Sequence, residues 1–278
     1  MASAAEEARP VTPQLPLSIL IRTLNEGDRI QNTIRSVSDL GAEVVVIDAG
    51  STDDTVHIAA TMGATVYHNP WPGFGPQRRF GEDKCSRNYV LSLDADEIIT
   101  PALSDEIRRV LSTQEPPRLM IVRKAWIQPH HLAPGPWPFC HEQILLYDRR
   151  IARTGPNPNW DKLEIDIADR PFKLKNPLWH YSLRNWNHAV SKFNYVATLA
   201  AQTQVPRSRL ALLARLPFEF PINFIKAYVL RRYFLSGVDG FIMSVIFAFG
   251  RFLRLAMMLE RHDHGSQVSK DRKSGAKG

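Results

Sequence analysis

The sequence predicts an α/β protein in which a Rossmann-like mixed sheet is flanked by helices and followed by a C-terminal amphipathic helical segment. Apolar runs typical of buried strands recur at 17–21, 44–47, 64–67 and 89–93. The segments between them either carry apolar residues at helical spacing or are rich in glycine and proline. Continuous apolar strands that alternate with helices indicate a parallel sheet with helices on its faces.

The remaining elements follow from local signals. Apolar residues recur at helical spacing over 30–37, and Gly41 closes that helix. The residues of 52–54 can cap the next helix, and we expect Asp53 or Asp54 to do so. Isolated strands with loops rich in Pro, Trp and His indicate a more mixed half over 118–147, and the pattern is helical from 187 onward.

Composition limits the class of protein and its partners. The chain has 278 residues, of which 44% are hydrophobic and 23% charged, so it can bury a large core. Its net charge of +7 is compatible with nucleic acid, an anionic membrane or a phosphorylated substrate. The basic residues are scattered and form no nucleic-acid recognition signature, so no nucleic-acid partner is predicted.

Four segments are expected along the chain: a disordered tail at 1–15, an α/β domain at 16–200, an amphipathic membrane-associating segment at 206–261 and a disordered basic tail at 262–278. The N-terminal residues lack the apolar core of a signal peptide. The longest late apolar run, 240–250, is shorter than the ~18 residues that a bilayer span needs. The only two cysteines lie far apart, which is typical of a protein from a reducing compartment.

Polar residues stand at the end of three of the four predicted strands. Asn25 and Glu26 follow the first strand, Asp48 ends the second, and Asp94 and Asp96 follow the fourth. Ligands of parallel α/β sheets bind beyond the carboxyl ends of the strands. The sequence therefore predicts a polar ligand site at this edge.

The Asp94-Ala95-Asp96 motif suits a divalent cation. Two carboxylates after a buried strand are hard oxygen ligands for Mg²⁺ or Mn²⁺, and a substrate diphosphate can complete the coordination shell. The alternative is that these acids only cap the next helix, which starts at Thr100-Pro101. Asp48 could accept a hydrogen bond from the imide of uracil, with Gly50 allowing the base to approach, or it could belong to an ordinary turn.

Four motifs occur in an order that resembles the family 2 inverting glycosyltransferases of GT-A fold. They lie at 18–26, 46–55, 73–78 and 91–97, and are most similar to the bacterial lipopolysaccharide-core β-glucosyltransferase branch. The resemblance implies a UDP-sugar donor, a Mg²⁺ or Mn²⁺ cofactor and a lipid-linked saccharide acceptor such as lipopolysaccharide core.

The same resemblance assigns roles to individual residues. The nucleotide would be bound by residues of the first three motifs together with Asp94: Thr23, Asn25, Glu26, Asp48, Gln77 and Arg78. The metal would be bound by Asp94 and Asp96. Arg78 could instead belong to a solvated basic turn. His180 could complete the metal shell, or it could be a structural histidine.

Inverting transfer needs a carboxylate that deprotonates the acceptor hydroxyl. Relatives supply this base from a His-Glu or similar motif that precedes a His-Tyr-Ser-like segment. This chain instead has Trp-Asp-Lys-Leu-Glu at 160–164, before 178–182. We favour Asp161 as the base and place Glu164 second, since its alternation with apolar residues is also typical of the solvent face of a strand. Glu142 is a third candidate.

The C-terminal third combines bulky apolar residues with arginines and lysines. Amphipathic helices with basic edges indicate an interfacial anchor on an anionic membrane. A helical pair packed on the first domain, or a dimer interface, would share this composition. We therefore expect a cytoplasmic protein peripherally associated with the inner membrane. A non-catalytic nucleotide-sugar-binding or scaffold protein is the alternative function, although Asp48, Asp94 and Asp96 are intact.

Overall fold

The computed structural model describes residues 15–135, 140–166, 170–203 and 208–275, with side chains described as far as 263. Except for Leu15, the predicted tail at 1–15 lies outside these residues. The described residues form two compact units. The first, here called the sheet unit, lies within Met1–Ala125 and Cys140–His180; the second, the helical unit, lies within Trp126–Phe139 and Tyr181–Gly278.

Within the described residues, eight strands form one mixed sheet in the order β3-β2-β1-β4-β7-β6-β10-β5. The strands are β1 Leu17–Thr23, β2 Glu43–Asp48, β3 Thr65–His68, β4 Tyr89–Asp94, β5 Glu97–Ile99, β6 Leu119–Trp126, β7 Cys140–Asp148 and β10 Phe172–His180. Strands β3, β2, β1 and β4 run parallel, whereas β7 pairs antiparallel with β4 and β6, and β10 pairs antiparallel with β5. The predicted parallel half and mixed half are both present.

Strand β1 is central because it is apolar towards both faces of the sheet. All of its residues are buried. Ile19 and Ile21 belong to one core cluster, while Leu20 belongs to a second. Side chains of successive strand residues point to opposite faces, so a continuous apolar run suits a strand that is covered on both sides.

Among the described residues, the sheet unit contains four α-helices and a small second sheet. The helices are α1 Ile30–Val37, α2 Thr55–Thr61, α3 Phe74–Lys84 and α4 Pro101–Leu111. The second sheet pairs β8 Ala152–Thr154 with β9 Leu163–Ile165. Helix α4 begins at Pro101, and the Thr100 hydroxyl accepts from the Leu103 amide. Since β5 separates the Asp-x-Asp motif from this helix, the alternative in which Asp94 and Asp96 serve as its caps is excluded.

Three long helices make up most of the helical unit: α5 Trp186–Thr203, α6 Arg209–Ile225 and α7 Gly237–Gly275. A π-helical turn, Lys226–Leu230, and a 3₁₀ turn, Tyr233–Ser236, join α6 to α7. A small core within the unit includes Ala201, Leu212, Leu255 and Met258. Helix α7 continues to Gly275 through most of the segment predicted as a basic tail, where Gln, Lys and Arg are good helix formers. The predicted domain limits stay predictions.

In the part of the chain that the structure describes, one helical segment, Tyr233–Asp263, is long and apolar enough to cross a membrane by length and composition. This finding differs from the expectation that no segment could do so. The reason is that an 18-residue stretch of this segment is apolar on average although it includes charged residues, whereas the expectation considered only uncharged runs. Of that stretch, 44% is buried within the protein, and core helices of soluble proteins meet the same criterion of length and composition.

Candidate active site

The carboxyl ends of three neighbouring parallel strands bring the predicted polar residues to one edge. In the register of the sheet, Thr23 of β1 pairs with Asp48 of β2, and Arg22 of β1 pairs with Asp94 of β4. The two aspartates therefore flank the end of β1 from opposite sides. This juxtaposition is the one that the strand-end pattern predicts.

Hydrogen bonds connect the loop after β1 to the loop after β2. The Asn25 amide donates to the Ser51 hydroxyl (2.8 Å), and the Asn25 side-chain oxygen accepts from the Thr52 amide (2.9 Å). The Glu26 amide donates to the Thr55 hydroxyl (2.9 Å). Asn25 adopts a left-handed conformation with φ 54°, which asparagine tolerates better than most residues. The two predicted nucleoside loops thus form one folded surface.

Asp53 links these loops rather than acting only as a helix cap. Its carboxylate accepts from the Thr55 amide and hydroxyl, and from the Gly27 amide of the other loop at 3.1 Å. The residue before α2 is Asp54, which makes no side-chain capping bond. Asp53 therefore fulfils part of the predicted capping role and also joins the two loops.

Asp48 is buried and engaged in its own turn. One carboxylate oxygen accepts from the amides of Gly50 and Ser51, each at 2.9 Å, and the other accepts from the Ser51 hydroxyl at 2.5 Å. Gly50 has φ 110°, which favours glycine. Both oxygens are thus already in use, as the ordinary-turn alternative requires, so contact with uracil would have to use a remaining lone pair.

Two other predicted nucleotide residues, Gln77 and Thr23, are buried. Gln77 lies on α3, and its side-chain amide makes two hydrogen bonds with Asn69. The Asn69 side chain donates to Gln77 Oε1 at 2.7 Å, and Gln77 Nε2 donates to the backbone carbonyl of Asn69 at 3.1 Å. Gln77 therefore fixes the loop before α3. The Thr23 hydroxyl is buried without a hydrogen-bond partner among the described residues, which leaves it able to bind a ligand.

Asp94 is paired with an arginine of the neighbouring strand. The Arg22 guanidinium donates to Asp94 at 2.5 Å. Burial alone would raise the pKa of Asp94, but the positive charges of Arg22 and Lys124 hold it well below its usual range. The carboxylate is therefore ionised at neutral pH, and one of its oxygens is bound to Arg22.

Behind this pair lies a buried ion pair between Lys124 of β6 and Glu97 of β5. Burial alone would lower the pKa of Lys124, but the charges of Glu97 and Asp94 raise it. Glu97 also accepts from the Asp94 amide at 3.0 Å. This pair fixes the backbone of the Asp-x-Asp turn.

Asp96 and His180, both predicted metal ligands, lie next to each other. Asp96 Oδ1 lies 3.5 Å from His180 Nε2, and both side chains are 13% exposed. Burial alone would lower the pKa of His180, but its hydrogen bond to Asp96 and the charge of that residue raise it. Among the described residues, no group of three or more His, Cys, Asp or Glu side chains is arranged as a metal site. A carboxylate and an imidazole still fit Mg²⁺ or Mn²⁺, because such ions take further ligands from phosphates and water.

Asp161, the favoured base, is held by two buried arginines. Its Oδ2 lies 2.8 Å from Arg22 and 2.9 Å from Arg78. Arg22 therefore contacts both Asp94 and Asp161. Sequence reasoning missed Arg22, and the available signal was a charged residue inside an otherwise apolar strand.

The loop that carries Asp161 is fixed against the start of α3. The amides of Phe74 and Gly75 donate to the carbonyls of Pro158 (2.9 Å) and Asn157 (3.1 Å). A Cβ atom on Gly75 would overlap the Gly155 carbonyl oxygen, so only glycine allows this approach. The Gly-Phe-Gly part of the third motif thus positions the Asp161 loop.

The other two base candidates face solvent. Glu164 is exposed on β9 and lines an open pocket of about 570 Å³ together with Asn157, Trp160 and Lys162. Glu142 on β7 is half exposed and pairs with Lys173 at 2.6 Å. Of the three candidates, Asp161 is the one that pairs with Arg22, at the carboxyl end of β1.

In a sheet of this kind, the carboxyl ends of the parallel strands are where α/β proteins bind their ligands. The family model for glycosyl transferase family 2 matches residues 18–115. An uncharacterized glycosyltransferase of Rickettsia prowazekii is 35% identical over 256 residues, 87% of this chain and 86% of that protein. The chain therefore belongs to glycosyl transferase family 2 and is a glycosyltransferase, and the predicted GT-A fold is confirmed.

Two further similarities extend the comparison. The lipopolysaccharide core biosynthesis glycosyltransferase LpsC of Rhizobium meliloti is 27% identical over 267 residues, 90% of this chain and 94% of that protein. The crystal structure of glucosyl-3-phosphoglycerate synthase from Mycobacterium tuberculosis with Mn²⁺ and UDP-glucose is 28% identical. That match covers 41% of this chain and 44% of the other, with a TM-score of 0.35.

Proposed function

We propose that the protein is an inverting, metal-dependent glycosyltransferase that moves a hexose, such as glucose, from a UDP-sugar to a lipid-linked saccharide. The observation that carries this proposal is the double contact of Arg22, which pairs with Asp94 of the donor-side motif and with Asp161 of the later loop. Donor-side and acceptor-side carboxylates thereby meet at one edge of the sheet. Such proximity is what attack of an acceptor on a bound donor requires.

The donor would lie across the carboxyl edge. The proposed nucleoside contacts are with Thr23, Asn25, Glu26 and Asp48. Asp96 and His180 would hold the metal ion, with Asp94 beside them. When bound, the ion supplies Lewis-acid neutralisation of the departing diphosphate.

Arg22 and Arg78 add fixed positive charge beside the diphosphate. Preorganised charge of this kind stabilises a leaving group without reorganisation during the reaction. Asp161 would accept the proton of the acceptor hydroxyl as its oxygen attacks the anomeric carbon from the face opposite the leaving group. One attack from that face inverts the configuration of the sugar.

A lipid-linked acceptor of the lipopolysaccharide-core type is supported by two independent features. The first is the similarity to LpsC over nearly its whole length. The second is the number of large apolar side chains that the helical unit exposes, including Phe218 and Ile222 of α6 and Phe241 of α7. A membrane-bound acceptor would give this surface a purpose.

The test is a transfer assay with a panel of UDP-sugars, Mn²⁺ or Mg²⁺, and core saccharides with and without their lipid. We expect acceptor-dependent release of UDP and a β-linked product from an α-linked donor, detected by NMR. An α-linked product would contradict inversion, and transfer only from another nucleotide sugar would contradict the donor.

A further inference from the structure

Two arginines at the candidate active site are almost fully buried. Arg78 is 2% exposed and Arg22 is 9% exposed. A buried charge without a partner is costly, so each needs an anion nearby. Arg22 has Asp94 and Asp161, whereas the described carboxylate within ion-pair distance of Arg78 is Asp161.

The guanidinium groups retain unused hydrogen-bond donors. Nε and Nη1 of Arg78 and Nε of Arg22 are buried without hydrogen-bond partners among the described residues. Unpaired buried donors cost free energy, and an anion with several oxygens would satisfy them better than one carboxylate oxygen does. A diphosphate has this property.

Asp161 can leave the arginines without rearrangement of its loop. Its side chain is 21% exposed, so water already reaches one side of it. The loop itself is held by backbone bonds to Phe74 and Gly75, and by the Gly155 amide, which donates to the Lys162 carbonyl at 3.0 Å. A rotation of the Asp161 side chain therefore suffices to expose the guanidinium groups.

We propose that Asp161 is a stand-in anion that neutralises Arg22 and Arg78 until the diphosphate of the donor displaces it. This inference rests on the proposed function, in which the released Asp161 carboxylate turns to the acceptor. Donor binding thus comes before acceptor activation, because the base stays bound to the arginines in the absence of a diphosphate. The arrangement couples the two substrates through one side chain.

The test is calorimetric binding of UDP and of inorganic pyrophosphate, each with Mg²⁺ and in chelator, to the wild type, Asp161→Asn and Asp166→Asn. Asp166 is an exposed carboxylate on the same segment, so it controls for a change in net charge. Because a charge a few ångströms away shifts an ionic equilibrium by one to three powers of ten, we expect Asp161→Asn to bind both ligands about tenfold more tightly or more. Unchanged or weaker binding in Asp161→Asn would overturn the inference.

The two ligands separate this inference from the proposed donor. Tighter pyrophosphate binding in Asp161→Asn, without UDP binding to any variant, would support the stand-in role and contradict the uridine donor. If neither UDP nor pyrophosphate bound to the wild type or to either variant, both proposals would be overturned.

Hydrogen exchange of the wild type provides a measurement that needs no folded variant. Addition of UDP or pyrophosphate should accelerate exchange of the amides over 155–162, because the loop keeps its backbone bonds but loses the ion pairs of Asp161 with Arg22 and Arg78. Equal or slower exchange there would overturn the inference.

Discussion

Asp96 Oδ1 lies 3.5 Å from Nε2 of His180, although the two residues lie far apart in the sequence. The contact arises because β10 pairs with β5, in a register that places His180 opposite Glu97. The last residue of one strand is thereby brought beside the Asp-x-Asp turn. A late histidine becomes part of the strand-end site through sheet topology alone.

This pair leads to the prediction that transfer depends on a divalent metal. We expect excess chelator to abolish transfer, and Asp96→Asn to do the same with little change in Tm. His180→Ala should weaken Mn²⁺ binding, measured by calorimetry. Asp39→Asn, which alters an exposed carboxylate, is the control and should keep full activity. Full transfer in excess chelator would refute metal dependence.

Asp48 gives a second prediction, for donor binding. Asp48→Ala should weaken UDP binding by roughly 1–3 kcal/mol, the scale of a lost hydrogen bond to a charged group. Since its carboxylate also accepts from Gly50 and Ser51, the turn should loosen and Tm should fall as well. Asp48→Asn keeps one acceptor oxygen and separates the two effects. Unchanged UDP affinity in Asp48→Ala would move the nucleoside site elsewhere.

The base assignment can be tested by two neutral substitutions. Loss of a general base costs about 10²–10⁴-fold in rate. We expect Asp161→Asn to lower kcat by this factor while donor binding is retained or improved. Glu164→Gln should remain active, because Glu164 faces solvent on β9. The opposite result, with Asp161→Asn active and Glu164→Gln inactive, would transfer the role to Glu164.

The parts of the site that follow from sequence are those that depend on local pattern. Apolar runs locate β1, β2 and β4, and the rule for parallel strands then places Asp48 and Asp94 at one edge. The resemblance assigns Gln77 and Asp48 to the nucleotide. In the structure, Gln77 is hydrogen-bonded to Asn69, and Asp48 accepts hydrogen bonds within its own turn. Motifs identify such residues without showing what their side chains touch.

The ion pairs could not be predicted because they join distant segments. Arg22 meets Asp161 only after the 155–161 loop packs on α3, an approach that Gly75 permits. No periodicity encodes this packing. Likewise, the antiparallel partner of the short strand β5 is a strand far along the chain, and hydrophobic pattern does not specify it.

Glu106 gives a prediction for pH-dependent stability. Its carboxylate on α4 accepts from the Lys175 amide (2.9 Å) and from the amide and side chain of Asn176 (2.9 and 2.8 Å), which anchors β10. Burial alone would raise the pKa of Glu106, but these hydrogen bonds lower it below its ordinary value of 4.5. A depressed folded-state pKa stabilises the protein above about pH 4.5, and this contribution is lost as the pH falls through the folded-state pKa.

We therefore expect Glu106→Gln to lower the free energy of unfolding at pH 7 by about 1–3 kcal/mol. The difference from wild type should shrink as the pH falls below 4.5. Urea unfolding at several pH values measures both effects. Glu115→Gln, at an exposed position, should change neither. A pH-independent difference for Glu106→Gln would show that its charge is not the cause.

The last prediction is that the helical unit attaches the enzyme to an anionic membrane surface. Helix α6 exposes large apolar side chains at helical spacing: Leu210, Leu213, Phe218, Ile222 and Ile225. Helix α7 exposes Val238, Phe241 and Phe249, while Lys226, Arg231 and Arg232 of the connecting segment are also exposed. An amphipathic surface with basic residues binds membranes by apolar insertion together with electrostatic attraction. Some aromatic side chains instead pack on each other, such as Phe224 on Tyr228, so only the exposed ones can contribute.

Flotation with anionic and neutral vesicles measures this binding. Each basic residue near an anionic surface contributes about 1 kcal/mol, which salt screens, whereas apolar insertion resists salt. We therefore expect partial release at high salt and full release only with detergent. Ile222→Gln with Ile225→Gln should weaken flotation, since these side chains are 60% and 53% exposed and can be changed without opening the core. Val56→Gln, an exposed apolar position of the sheet unit, is the matched control and should float like the wild type. If the wild type stays in the soluble fraction with both kinds of vesicle, membrane attachment is refuted, and the helices serve as core or as a protein interface.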